Sequence, residues 1–375
     1  MSQHIFDYAI VGSGLSGLAC AVRLSQETKN VVLLDGLDQA GGVNRPISFP
    51  TGTINNGLRF VPDTELNRQA LLFLEDLLGL KVVAGAEHRP PVSFEEGRLK
   101  EFVGFGENPP EFYDQMKPFM NPDHLKLNLE PALWTSLLLE KFQGQFMPRS
   151  YVTRFQVENN EVQHLTINGA KTIRAANVIY AGPVKSLSVL MSQDSLSARA
   201  RQKLAKNVYW TALCLDLCHD KTVTDSEAVH ILNGTTQDEI GPCAGRFMPP
   251  TETEQGPRQT SQWVTFLDEE VTEDSELVGA ALKKIKRQIK RAYPEALEGL
   301  VRERIMVSPM VGGDGELKLK GNQTMPEAHN LWIASSALAP ERGVTGALLQ
   351  AHLVLAALGF STRQHHPSEV LEASF

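Results

Sequence analysis

Gly12-Ser13-Gly14-Leu15-Ser16-Gly17 has the residue types and spacing of a turn that cradles a pyrophosphate. Gly12 permits the tight turn, Gly14 lets backbone approach the phosphates, and Gly17 allows a following helix to pack close to a sheet. The helix N-terminus adds unpaired N–H groups and the positive end of its dipole. Asp35 lies near the ~20-residue offset at which an acid accepts hydrogen bonds from a ribose. A glycine turn with a solvated aspartate is the plain alternative. It does not explain why context and acid coincide.

That chemistry needs a strand before the turn and a helix after it. Asp7 to Val11 is a short β-rich apolar run ending at Gly12, Leu15 to Leu24 is helical in pattern, and Asn30 to Asp35 is a second apolar strand. Together they predict a βαβ unit with parallel pairing. Further along, helices are expected over Leu66 to Leu78, Pro131 to Phe142, Ser275 to Tyr293 and Thr345 to Leu358. Val92 to Lys100 reads as a hairpin about Glu95-Glu96-Gly97. Tyr151 to Ile179 reads as alternating strand and turn, with turns at Glu158-Asn159-Asn160 and Asn168-Gly169. Val208 to Leu217 and Leu331 to Ala334 are expected strands. Thr235 to Gln262, rich in Pro, Gly and Thr, is expected to be loop, and the tail after Thr362 to fray.

After Asp35 comes Gly36-Leu37-Asp38-Gln39-Ala40-Gly41-Gly42, and here the chain resembles the flavin amine oxidase, protoporphyrinogen oxidase and phytoene desaturase superfamily. The resemblance implies FAD, with the Gly41-Gly42 pair letting a loop pass close to it. Asn55-Asn56-Gly57-Leu58 is similar to the family segment beside the flavin ring. Tyr151-Val152-Thr153 matches the place where a backbone valine meets the adenine, and Ala181-Gly182-Pro183 the turn after the returning strand. Gly343-Val344-Thr345-Gly346-Ala347 resembles the start of the family's last helix, which aims at the flavin N1 and C2 oxygen; Thr345 is the expected cap. On this resemblance the cofactor-binding residues are Gly12, Ser13, Gly14, Leu15, Ser16, Gly17, Asp35, Gly41, Gly42, Arg45, Gly57, Leu58, Val152, Ala181, Ser336, Val344 and Thr345.

The chain also departs from the family. Ser335-Ser336 replaces a Gly-Asp pair, and Val43 stands where an arginine usually follows the glycine pair, with Arg45 slightly later. Val344 occupies the place of an amine-cage aromatic. The strand that should supply a lysine beside flavin N5 has none, Cys214 being the nearest match, so simple amine oxidation is disfavoured. No second glycine fingerprint follows a strand: Gly104-Phe105-Gly106 lacks the third glycine, and Gly312-Gly313-Asp314-Gly315 has the wrong spacing. A separate NAD(P)H domain is therefore not expected. No cysteine or histidine sits in the segments used for covalent attachment, which implies noncovalent FAD.

The chain has 375 residues, 42% hydrophobic, which allows two domains with sizeable cores. A net charge of −8 disfavours a nucleic-acid partner. The basic run Lys283 to Arg291 has Leu282, Ile285, Ile289 and Ala292 on one helical face and reads as a solvated helix surface. Four cysteines without a CxxC pair suggest a reducing compartment. Met1 to His4 lacks a leader's pattern, and Gly346 to Phe360 is too short to span a bilayer, so the reading is cytoplasmic with no transmembrane segment. No metal cluster is expected, His365-His366 reading as solvated.

The expected architecture is α/β: a discontinuous Rossmann-type FAD-binding domain over 1–60, 140–205 and 315–375, and a substrate domain of mixed sheet plus helices over 61–139 and 206–314. The expected function is hydride removal from a small-molecule organic substrate, apolar ones included, to flavin N5, with oxygen, a quinone or a carrier as acceptor. The alternatives are a non-redox isomerase or mutase of the same fold and an FAD-binding protein without turnover.

Overall fold

The first apolar run becomes the middle strand of a parallel sheet. Ile5–Val11 lies between Lys171–Tyr180 and Val31–Leu34, parallel to both. Ala328–Ile333 adds outside Lys171–Tyr180 and Gln145–Met147 outside Val31–Leu34, again in parallel. Three distant stretches of chain thus build one sheet. All four residues of Val31–Leu34 are buried, as a parallel strand covered on both faces requires. The computed structural model describes residues 4–107, 109–192, 194–206, 209–233, 242–313, 323–341 and 343–360. The expectations for Val208, 235–241, Asp314-Gly315 and the tail with His365-His366 lie outside them.

One face of this sheet is covered by Leu15–Ser25, Glu65–Leu78, Pro131–Lys141 and Val344–Ala357, whose apolar residues form one core. Leu18, Leu71, Leu74 and Leu348 are fully buried there. Each such side chain contributes roughly 1.5–3 kcal/mol, which holds the last helix against the first. Glu65–Leu78 and Pro131–Lys141 come from the stretch expected in the substrate part and share this core. The other face carries an antiparallel meander, Val152–Glu158, Glu161–Ile167 and Lys171–Tyr180. Its turns fall at the expected Asn159-Asn160 and Asn168-Gly169, all with positive φ, a conformation that asparagine and glycine tolerate.

A second sheet runs Leu300–Gly313, Tyr209–His219, Gly256–Asp268, Cys243–Phe247, His230–Leu232, Val92–Glu95, Arg98–Glu101. It is antiparallel apart from a parallel pairing of His230 with Val92. Ser275–Ala292 packs on one face through Ala281, Ile285 and Ile289, while Lys283, Arg287, Lys290 and Arg291 face solvent as expected. Asp274 caps this helix by accepting from the Glu276 amide at 2.8 Å.

The expected loop over Thr235 to Gln262 is a correction. From Cys243 onward it supplies two strands near the centre of this sheet. Several of its polar side chains are buried and hydrogen-bonded, mostly to residues outside the segment. The Gln259 amide bonds Thr224 and Met248 carbonyls, Ser261 meets His219, and Gln262 meets Asp216. Composition cannot show such partners, and once they exist polarity no longer opposes a central strand.

Candidate active site

The glycine turn has the conformation its chemistry demands. Gly12 sits at φ 101°, in the left-handed region that favours glycine. A Cβ on Gly17 would come within 1.9 Å of the Gly12 carbonyl oxygen, so helix Leu15–Ser25 can approach only without a side chain there. A Cβ on Gly14 would meet nothing within 4 Å, and this open cradle is where a phosphate could sit. Ala181 closes the underside: its amide donates to the Val11 carbonyl at 2.9 Å and its methyl group faces Gly12 and Gly17.

Gly41 and Gly42 bring their loop onto this turn. Gly41 donates to the Ser13 carbonyl at 2.8 Å, and a Cβ on Gly42 would reach 3.4 Å from the Gly14 Cα. Arg45 packs against Gly41 and has no ion-pair partner among the described residues.

Asp35 does more than the ribose role expected of it. One carboxylate oxygen accepts from the Ser13 amide at 2.7 Å and the Ser13 hydroxyl at 2.6 Å; the other accepts from the Leu37 amide at 2.8 Å. The carboxylate therefore also braces the glycine turn. Its backbone carbonyl accepts from the Ser150 amide at 2.7 Å, which brings the buried Val152 beside it. The Tyr151 ring covers Gly36, where a Cβ would come within 2.8 Å of it. Asp35 and the start of the Val152–Glu158 strand are thus brought to one place.

Leu15 is buried in the core, and the Ser16 hydroxyl donates to the Ala334 carbonyl at 2.5 Å, tying the first helix to the last strand. The Ser16 side chain is structural. Ser336 is exposed just past that strand, at the same edge of the sheet as the glycine turn.

The last helix begins at Val344 after Gly343, whose φ is 93°. Its first turn, Val344 to Gly346, is buried, and no side chain caps it. The expected cap at Thr345 is a correction: Thr345 lies inside the helix, and its hydroxyl donates to Asn67 Oδ1. Asn67 is itself fully buried and donates through its side-chain amide to the Pro62 carbonyl at 2.9 Å, which leaves its Oδ1 to accept from the hydroxyl. A buried helix start without a cap leaves amide donors that call for an acceptor from elsewhere. The Thr345–Asn67 bond has a direct consequence. Thr345→Val should cost about 1–3 kcal/mol, because Asn67 Oδ1 stays buried without a donor. Chemical denaturation checks this; a variant as stable as the parent would contradict the bond.

Gly57 and the buried Leu58 lie at the seam between the two sheets. Gly57 has φ 85°, and a Cβ there would come 3.0 Å from Cys214 Sγ, 3.4 Å from Met306 Cε and 3.7 Å from Arg59 Nη1. Burial pushes the Cys214 thiol up to about 12, so it is an inert, neutral group. Asp216 is buried two residues on, taking Arg304 Nη1 at 2.6 Å and Gln262 Nε2 at 2.9 Å. Burial raises the Asp216 carboxyl, while Gln262 and Arg304 pull it down. Arg304 also reaches Asn56 Oδ1, and Gln262 Nε2 donates to the Asn55 carbonyl at 2.9 Å, fastening Asn55 to Leu58 onto the second sheet. Asn55 Oδ1 and Gln262 Oε1 are buried at this seam without a partner.

Sequence reading did not single out Arg59, Asp216, Gln262 or Arg304. The one available signal was Asp216 between Leu215 and Leu217 in an otherwise apolar strand. No group of three or more metal-ligating side chains occurs among the described residues, and no helix there is long and apolar enough to cross a membrane.

Residues 10–77 match the model of the NAD(P)-binding Rossmann-like domain. A flavin-containing amine oxidase A from Equus caballus is 29% identical over 109 residues, covering 28% of this chain. The match spans 19% of that relative's length. Among solved structures, an oxidoreductase from Methanosarcina mazei superposes with a TM-score of 0.69 at 13% identity, over 93% of this chain and 99% of that one. Cyclohexylamine oxidase from Brevibacterium oxydans superposes at 0.66 and 11% identity, over 95% and 99%. The fold therefore extends over nearly the whole length of both structures.

Proposed function

We propose that this chain, which has the fold of the flavin amine oxidase-like superfamily, holds FAD noncovalently and is an oxidoreductase acting on a small organic substrate. The observation that carries the proposal is a pair of uncapped helix starts at one edge of one parallel sheet. Leu15–Ser25 begins at the open cradle of Gly14, and Val344–Ala357 begins buried and without a side-chain cap. Two such starts suit a ligand with a pyrophosphate at one end and a ring carrying an acceptor oxygen at the other. The flavin when bound supplies hydride acceptance at N5.

The protein's part is orientation and exclusion of water. Asp35 and the backbone at Val152 hold the adenosine end. Gly12 to Gly17, Gly41, Gly42 and Arg45 hold the phosphates. The amides at Val344 and Thr345 would face the ring oxygen, where they would favour the negatively charged reduced form. Gly57 and Leu58 border the ring, and Ser336 meets the ribityl–phosphate stretch. These assignments rest on the residues' positions and on the family resemblance.

Purified protein should be yellow and should release free FAD on heating or acidification. A colourless protein that takes up NAD and no FAD would sink the proposal. Anaerobic reduction of the bound flavin by a metabolite panel then separates redox turnover from FAD binding alone: bleaching by at least one metabolite is expected.

A further inference from the structure

One chain of hydrogen bonds ties two of the segments assigned to the cofactor to the second sheet. It begins at Asp216, 1% exposed within Tyr209–His219. The Asp216 carboxylate accepts from Arg304 Nη1 at 2.6 Å. Arg304, on the neighbouring strand Leu300–Gly313, turns its other terminal nitrogen to Asn56 Oδ1. The Asn56 side-chain amide in turn donates to the Val43 carbonyl at 3.2 Å. Val43 follows Gly42, which lies against Gly14 at the phosphate cradle, and Asn56 precedes Gly57. A second arm runs beside the first: Gln262 Nε2 donates to Asp216 Oδ1 and to the Asn55 carbonyl, each at 2.9 Å.

Stability does not account for this arrangement. A buried ion pair gains little net free energy once both charges are desolvated, and its best-attested use is to fix registry. A lysine would neutralise Asp216, but a planar fork reaches two acceptors at once. Here one terminal nitrogen holds the carboxylate and the other holds Asn56, whose amide passes the tie on to Val43. Asn56 is 5% exposed, so water offers its oxygen no ready substitute. Arg59 clasps the same two segments to each other through the Leu58 and Val43 carbonyls, so a shift of one reaches the other.

We infer that Arg304 is a positioning residue for the cofactor: acting through Asn56, it seats the Gly41–Asn44 turn and the Gly57–Leu58 segment, and so couples FAD binding to the packing of the second sheet. This rests on the functional reading above and extends it to a residue of the second sheet. The coupling is reciprocal: a cofactor held better when the relay is closed also holds the relay closed. The second sheet is then firmest when FAD is in place.

The test is a double-mutant cycle on FAD affinity, read by titrating the full chain, freed of flavin, with FAD. Arg304→Met and Asn56→Ala should each weaken binding by about fivefold or more, and the double variant should bind about as weakly as the weaker single one, because both changes cut one relay. Circular dichroism reports whether each variant is folded. If Arg304→Met is not, Arg304→Lys, which keeps a charge beside Asp216 without the fork, takes its place in the cycle. Ile285→Ala, under the helix on the opposite face of the same sheet, should lower the unfolding temperature and leave FAD affinity unchanged. In the parent, FAD should slow hydrogen exchange at the amides of Tyr209–His219 and Gly256–Asp268, and in Asn56→Ala that protection should be lost. Parental affinity in the Arg304 variant, losses that multiply in the double variant, an equal loss in Ile285→Ala, or exchange in the parent that FAD leaves unchanged would each overturn the inference. A parent that binds no FAD overturns the functional reading and this inference with it; a parent that binds FAD no better than its variants overturns this inference alone.

Discussion

Acidification from pH 7 to pH 4 should strip several kcal/mol of folding stability, much of it traceable to two buried histidines. His219 and His230 are fully buried on the second sheet. His219 Nδ1 lies 2.8 Å from the Ala296 carbonyl and Nε2 2.9 Å from Ser261 Oγ. His230 Nε2 lies 2.6 Å from the Tyr293 hydroxyl, among Phe247, Trp263 and Tyr293, and its Nδ1 has no partner. Burial lowers both from the ordinary 6.5 to about 4, against backbone carbonyls that favour the charged form. Between those two values the unfolded chain binds protons that the folded chain does not. Stability from these groups is therefore complete above pH 6.5 and is lost as pH falls toward 4. One pKa unit is about 1.36 kcal/mol, so each histidine accounts for about 3 kcal/mol over the full window. Denaturant titrations at pH 7.5, 5.5 and 4.5 should show the decline. His230→Gln should flatten it by up to about 1.4 kcal/mol per pH unit; an unchanged slope would show that His230 takes up its proton while folded.

Asp35→Ala should weaken FAD binding at least tenfold and also destabilise the flavin-free protein by about 2 kcal/mol or more. The affinity loss follows from removing an acceptor for the ribose hydroxyls, each charged hydrogen bond contributing about 1.5–3 kcal/mol. The stability loss is the part that the three bonds from Ser13 and Leu37 add. Without the carboxylate, the Ser13 amide and hydroxyl lose their partner inside the glycine turn. Asp35→Asn keeps an acceptor near Ser13 and should recover stability more than affinity. Flavin-limited fluorescence titration gives the affinity, and denaturation without flavin gives the stability. Unchanged affinity would remove Asp35 from the cofactor site, and unchanged stability would remove its bracing role.

Much of the glycine turn and its parallel sheet was legible in the residues themselves because its constraints are local. Gly12 needs a positive φ, Gly17 needs to be without a Cβ, and a strand, a tight turn and a helix must follow within a few residues. Local rules of this kind leave a pattern in sequence. The asparagine turns of the meander, and the amphipathic helix expected over Leu66 to Leu78 and found over Glu65–Leu78, were readable for the same reason.

Tertiary structure alone decided the rest. Thr345 reads as a helix cap until folding places Asn67 opposite its hydroxyl, and the Ser16 hydroxyl reads as free for a cofactor until the Ala334 carbonyl accepts its hydrogen bond. Gln259, Ser261 and Gln262 read as loop until Thr224, His219 and Asp216 take up the Gln259 amide, the Ser261 hydroxyl and the Gln262 amide nitrogen inside a sheet. A polar side chain's role is set by which partner reaches it first, and that is fixed only when remote strands are brought within hydrogen-bonding distance.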